Sequence, residues 1–359
     1  MQNNQAIPFN KENFKQILSK QFAWVIVVSV PGALIAEYFN VPLAWFLGPM
    51  IVTSVVTLGG LKTKMPKLVL STILIFLGLY IGNYIDKSLF SQIHQWIWTS
   101  SIMLGYIIVS VLLVSKYLQK FSGYEKKTSV FSAAPGALGP LLILAEDEKS
   151  DLSQVATAHL IRLIIIITVF PFIVNSLYTT DNSTVVETIN TNQNITDLLI
   201  LLVLSIILII FFDKLKIPAA LLAGTLIASG FLQITDVASY KLPDNIVNYC
   251  LLILGASVGC RFADKTFKEI AKNSLHSFVA TLLLVLLGLI AAFFAGLVIE
   301  KNFFTLLLSY CPGGIYEVAV IAIFFDLDPE FVSFHHIIRL LLILFIDPII
   351  LKILNKKIR

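Results

Sequence analysis

Two stretches, "LLILLVLSIILIIFF" (198–212) and "FVATLLLVLLGLIAAFFAGLVI" (278–299), contain no charged residue and decide what solvent this chain folds in. A helix rises 1.5 Å per residue, so the longer run spans about 33 Å, enough to cross about 30 Å of hydrocarbon. In such a layer every backbone N–H and C=O must be satisfied by the protein itself, which leaves helices and closed barrels. Long continuous apolar runs contradict the short alternating strands of a barrel. The composition agrees: 57% of the 359 residues are hydrophobic and 13% charged, against about 25% charged in soluble domains. The expected fold class is all-α, a polytopic membrane protein.

The first residues are polar, with Lys11, Glu12, Lys15 and Lys20 spread among them. They lack the short apolar core and cleavage site of a secretory signal, so the first span is expected to serve as its own insertion signal. The three cysteines, Cys250, Cys260 and Cys311, lie in or beside apolar segments and read as reduced, packed thiols.

The chain repeats itself. "VPLAWFLG" (41–48) aligns with "IPAALLAG" (217–224) at an offset of 176, and "LGLYIG" (77–82) with "LGASVG" (254–259) at 177. "APG" (134–136) falls on "CPG" (311–313) at the same offset. The block 151–171 falls on 328–348 with eight of 21 positions identical, including His159/His336, Arg162/Arg339 and Pro171/Pro348. Four blocks in one order read as a tandem duplication. The organisation is then a cytoplasmic N-terminal segment (1–21), repeat 1 (22–177), a polar external connector (178–197), repeat 2 (198–354) and a basic tail (355–359).

Each half holds six apolar segments, and the fifth of each is interrupted, by "SAAPGALGP" (132–140) and by "CPGGIYE" (311–317). Basic clusters at Lys62/Lys64/Lys67, Lys116/Lys120/Lys126/Lys127, Lys214/Lys216, Arg261/Lys265/Lys268/Lys272 and the two termini mark the cytoplasmic side, while stretch 179–194 has no Lys or Arg. All clusters fall on one side only if the interrupted segment of each half enters and leaves by the same face. That gives ten spans, two re-entrant segments and halves of inverted topology, as in many secondary transporters. Helices broken in mid-membrane would instead give twelve spans.

Candidate site residues follow from the cost of charge in lipid. Arg162 and Arg339 lie within spans, where an arginine costs at least about 2.5 kcal/mol. His159 and His336 precede them by three residues, on the same helical face. Glu317 could neutralise an arginine or titrate; its counterpart is Pro140. Pro135, Gly136, Pro312, Gly313 and Gly314 would free backbone groups at the breaks, as a helix N-terminus does for an anion. The blander reading has arginine snorkelling and histidine bonding a carbonyl. Asp347 reads as a residue near a span end. Neighbouring His335 and His336 point about 100° apart on a helix, a poor metal pair. No His-Glu-x-x-His, Cys-x-x-Cys or phosphate-binding loop is present.

At "IPAALLAGTLIASG" (217–230), "VPLAWFLGPMI" (41–51), "CPGGIYEVAVIA" (311–322) and "VSFHHIIRLLLI" (332–343) the chain resembles the bacterial membrane AbrB family, whose members carry a duplicated AbrB-type membrane domain. Members bear labels such as ammonia monooxygenase or AbrB family transcriptional regulator, and the residues match neither. The resemblance implies an integral membrane location and duplication. In the first half, "APGALGP" departs from the Pro-Gly-Gly…Glu pattern, so a symmetrical carboxylate role is not implied. The proline hairpins also look like those of cation/proton antiporters and bile-acid-type symporters.

The expectation is a secondary transporter in the cell membrane, with cytoplasmic termini, for a small solute coupled to protons or cations. Two breaks with arginines nearby suggest an anionic, carboxylate-bearing or zwitterionic solute. The partners would be the lipid bilayer and a small-molecule or ion substrate, with no nucleic acid, a homo-oligomer left open, and no cofactor, metal or catalytic role. The alternatives are a membrane-embedded regulatory or scaffold protein influencing gene expression through a partner, and a membrane enzyme.

Overall fold

The computed structural model describes residues 11–85, 89–136, 138–178, 195–215, 217, 219–238, 244–263 and 265–356. The connector at 179–194 and the ends of both tails, to which sides of the membrane were assigned above, lie outside them. The described residues form helices and no strand. In chain order these are α1 (Lys11–Ile17), α2 (Lys20–Tyr38), α3 (Ala44–Leu58), α4 (Lys67–Gly82), α5 (Leu89–Ser122), α6 (Lys126–Ala133), α7 (Leu138–Asp147) and α8 (Leu152–Leu177). Then follow α9 (Ile195–Lys214), α10 (Ala220–Thr235), α11 (Asp244–Cys260), α12 (Phe267–Gly296), α13 (Phe303–Tyr310), α14 (Ile315–Phe324) and α15 (Pro329–Lys356). Helices occupy each apolar segment read from the sequence, and the two interrupted segments are each split in two.

Six of these helices, α2, α5, α8, α9, α12 and α15, are long and apolar enough to cross a membrane. Their outward faces are apolar too. On α9, Leu199, Val203, Ile207 and Phe211 are all exposed, a pattern that is costly in water and neutral in lipid. The chain is a polytopic all-α protein.

The helices group into two compact units, Met1–Leu89 with Asn175–Thr266, and Phe90–Val174 with Phe267–Arg359. Each unit draws segments from both halves of the sequence.

The first unit is packed through small residues. Pro42 pins a tight turn in which Leu43 takes a left-handed backbone (φ 54°), and Ala219, its counterpart before α10, does the same (φ 57°). Close contact then follows: a Cβ on Gly32 would lie 2.8 Å from the Gly48 carbonyl oxygen. The glycine pairs of "LGLYIG" and "LGASVG" also become interfaces. On α4, Gly78 meets the Leu222 oxygen and Gly82 the Leu226 oxygen of α10, and Ser229 Oγ donates to the Leu79 carbonyl at 3.0 Å. On α11, Gly255 meets Phe46 and Gly259 meets Ser54 of α3. Residue numbers rise together along both pairs, so α4 runs parallel to α10, and α11 to α3.

The second unit contains the breaks. Proline disfavours helix in the residue before it, and Ala134 and Cys311 duly leave the helix with ψ 125° and 131°. Each broken segment doubles back. Lys127 at the start of α6 pairs with Glu148 just after α7 at 2.9 Å, and the Asp151 N–H donates to Thr128 Oγ1 at 3.1 Å. Likewise Lys301 pairs with Asp328 at 2.8 Å, to which Thr305 donates at 3.2 Å. Thr128/Thr305 and Asp151/Asp328 are again separated by 177.

Candidate functional site

A helix that stops inside a protein leaves its last carbonyls without partners. In the second unit these carbonyls are taken up by the arginines and histidines that the sequence singled out. The partners of the α6 end come from α8: His159 Nε2 donates to the Phe131 carbonyl at 2.9 Å, and Arg162 donates to the Ala134 and Ser132 carbonyls at 2.6 and 2.5 Å. The partners of the α13 end come from α15: His336 Nε2 donates to the Leu308 carbonyl at 2.9 Å, while Arg339 donates to the Cys311 carbonyl and, at 2.6 Å, to that of Gly313. In both hairpins the His bond and the Arg bond to the break residue span 28 positions. A cation at a helix C-terminus also complements the helix dipole.

The bonds fix one tautomer. His336 gives its Nε2 proton to Leu308, so its Nδ1 accepts from Arg339 Nη2 at 3.1 Å. All four side chains are buried, His336 and Arg339 completely. Arg162 and Arg339 thus hold carbonyls in the buried interior of the unit and do not reach out to headgroups. The planar fork suits this, since one guanidinium satisfies two oxygens at once.

The tips beyond the breaks pack reciprocally. Gly136 lies against Ile343, four residues past Arg339, where a Cβ would come within 2.5 Å of Cδ1. Gly313 lies against Ile166, four residues past Arg162, where a Cβ would come within 3.3 Å of Cγ2. Each hairpin tip therefore rests on the arginine helix of the other half. Pro135 and Pro312 are the residues that end α6 and α13 there. The phenol of Tyr106 on α5 donates to the Leu284 carbonyl at 3.4 Å. Tyr106 in turn stands edge-on to Tyr310, ring centroids 6.2 Å apart.

Glu317 belongs to the helix that follows the second break. It is buried in the first turn of α14, and its carboxylate folds back over Gly314, where a Cβ would collide with Oε2. An acid there stabilises the start of its own helix. Nε of Arg162 and Nε of Arg339 are buried donors without a hydrogen bond among the described residues. Ser132 Oγ, beside the first break, is in the same position. Among the described residues no group of three His, Cys, Asp or Glu could hold a metal ion.

Three features were not legible. His335 forms a buried network in which its Nδ1 donates to the Phe331 carbonyl at 2.9 Å and its Nε2 accepts from Thr99 at 2.8 Å; Tyr310 then donates to the Thr99 carbonyl at 2.6 Å. Asp347, four residues from the end of the candidate span Pro329–Leu351, has no exposed surface, and neither carboxylate oxygen has a hydrogen-bond partner among the described residues. The main-chain partners of the arginines carry no residue-type signal at all.

Fold and site define a polytopic helical protein with two arginine-held, proline-broken hairpins. The chain belongs to the family described as "Transition state regulatory protein AbrB", which it matches over residues 2–87 and 58–355. It is 24% identical to the "Uncharacterized protein YhjN" of Bacillus subtilis (strain 168), covering 92% of each chain. It is 24% identical to the "Putative regulator AbrB" of Escherichia coli (strain K12), over 88% of this chain and 91% of that one. No solved structure matches the chain.

Proposed function

We propose that the chain is a secondary transporter of a small anionic solute, coupled to protons or cations, in the cell membrane with both termini cytoplasmic. It consists of two repeats of inverted topology, with ten crossing helices and two re-entrant hairpins. The parity of the crossings supports this arrangement. With five crossings in repeat 1, α4 and α10 traverse the membrane in the same direction; with six, in opposite directions. Their parallel packing, and the stapled ends of both hairpins, favour five. Half-helices of eight residues (α6, α13) reach about 12 Å into the layer, near its middle.

The observation that carries the transport reading is the reciprocal seating of the two broken tips on each other's arginine helices. It gives a midplane site that either face can approach, as inverted repeats do in carriers. The Nε donors of two buried guanidiniums, without a hydrogen-bond partner among the described residues, favour an anion, a carboxylate above all. On this reading the chain is not an enzyme, takes no cofactor and binds no nucleic acid, and self-association stays open.

The second reading, a membrane-embedded regulator acting through a partner, draws on the name of the Escherichia coli relative. One experiment separates the two. Purified protein in liposomes is screened for charge movement and labelled uptake across a panel of small mono- and dicarboxylates under an imposed proton gradient. Gradient-dependent uptake of at least one supports the carrier. No response to any, together with a stoichiometric soluble protein on purification, replaces it with the regulator.

A further inference from the structure

The first unit has a cavity of about 590 Å³ at the end where α2 and α4 begin and α11 stops. Its wall gathers three cations from two separate stretches: Lys62 and Lys64 from the loop before α4, and Arg261 from the turn after α11. Gln21, Thr63 and Ser257 add neutral donors. No carboxylate is among the described residues that line it.

This gathering is held in place. Gly60 turns the loop with φ 99°, and the Thr57 and Thr63 hydroxyls bond at 2.7 Å. The lysines are thus presented by a braced loop and not by a free tail. The two lysines and the guanidinium line one cavity, so an anion placed in it is attracted by each of them. A guanidinium fork beside two ammonium groups and hydroxyls is the chemistry that recognises a phosphate. Met65 and Leu70 supply an apolar flank to the same cavity, which suits a phosphate carried on an amphiphile. Basic pockets between membrane helices on the cytoplasmic side take anionic headgroups.

We infer that this cavity is a phosphate-binding site, separate from the arginine-held hairpins, that takes the phosphodiester of an anionic lipid headgroup or a free phosphate from solution. It rests on the cation cluster and the cavity, not on the transport reading. An occupant would bridge the loop before α4 to the end of α11, and so tie together chain segments about 200 residues apart.

The test uses the full-length, delipidated protein in detergent. Phosphatidylglycerol, phosphatidylcholine and inorganic phosphate are added separately, with native mass spectrometry counting adducts and a thermal melt reading stabilisation. Wild type should retain phosphatidylglycerol over phosphatidylcholine. The Lys62→Gln/Lys64→Gln/Arg261→Gln variant should bind it about a hundredfold more weakly, at roughly fivefold per cation removed. The double variant Lys62→Gln/Lys64→Gln, altered only at exposed loop positions, guards against a folding defect and should lose about 25-fold. Stabilisation by the lipid alone identifies a headgroup site, and stabilisation by inorganic phosphate as well identifies a soluble phosphate. Equal binding in wild type and the double variant, or no preference for either phosphate source over phosphatidylcholine, overturns the proposal.

Discussion

Arg162 and Ala134 are joined by a 2.6 Å hydrogen bond from the guanidinium to a carbonyl 28 residues earlier in the chain. Arg339 and Cys311 repeat that bond at the same separation. Removing either arginine orphans two buried carbonyls. Arg162→Gln and Arg339→Gln should each cost about 2–6 kcal/mol, taking about 1–3 kcal/mol per unsatisfied group. Lysine should rescue only in part, since a single ammonium does not reproduce the two-pronged contact. Thermal unfolding in detergent checks this, and unchanged midpoints would show the bonds to be dispensable.

The glycines separate into those that meet backbone and those that do not. At Gly78 an added methyl meets the Leu222 carbonyl oxygen at 2.6 Å, a fixed atom. Gly78→Ala should therefore force α4 and α10 apart and cost about 1–3 kcal/mol or more. Gly105 on α5 has nothing within 4 Å of a Cβ, so Gly105→Ala should be neutral or gain up to about 1 kcal/mol from helix propensity. Equal effects at the two positions would contradict the parallel packing of α4 on α10.

Gly136 offers a compensation test. A methyl there meets the flexible end of Ile343, so Gly136→Ala should be destabilising alone and recovered in part by Ile343→Val. The coupling between such neighbours is expected at about 0.5–3 kcal/mol. Additive effects in a double-mutant cycle would mean that the tip does not rest on α15.

Topology can be read with single cysteines in a background lacking the three native ones. Asp147→Cys, at the end of the first hairpin, should react with impermeant reagents from the cytoplasmic side. Asp326→Cys, at the end of the second, should react from the external side. Labelling of both from one side would remove the inverted arrangement.

Asp347 makes a prediction with two readouts. A buried carboxylate without a hydrogen bond carries an unrecovered desolvation cost of about 1–3 kcal/mol or more. Asp347→Leu should raise the melting midpoint. If solute uptake falls in the same variant while Asp347→Asn retains fold but not proton coupling, the acid belongs to the transport cycle. A lower midpoint in Asp347→Leu would show that the carboxylate is satisfied by a partner.

Much of this was legible because hydrocarbon makes sequence patterns explicit. Apolar runs mark helices, and Pro-Gly after "SAA" and "SYC" marks where α6 and α13 end. The pairing of His159 with Arg162 and of His336 with Arg339 was visible as a spacing, and the carbonyls they hold were not. Any residue can present a carbonyl, so Phe131 and Leu308 play one role with different side chains. Glu317 was read as able to neutralise an arginine or to titrate; its place in the first turn of α14 follows from the backbone path after Gly314. The grouping into units was hidden for another reason. It depends on contacts such as Gly78 with Leu222, which join stretches far apart in sequence through residues with little side chain to read.

The arginine support of each hairpin has a consequence for biosynthesis. A ribosome delivers residues 126–147 before Arg162 exists, and residues 303–324 before Arg339. During that interval the freshly made loop has half-helices too short to cross and carbonyls with nothing to hold them. On the re-entrant reading, membrane insertion of either hairpin is expected to wait for the helix that comes after it, so a nascent chain stalled ahead of α8 or α15 would leave that stretch parked at the water boundary.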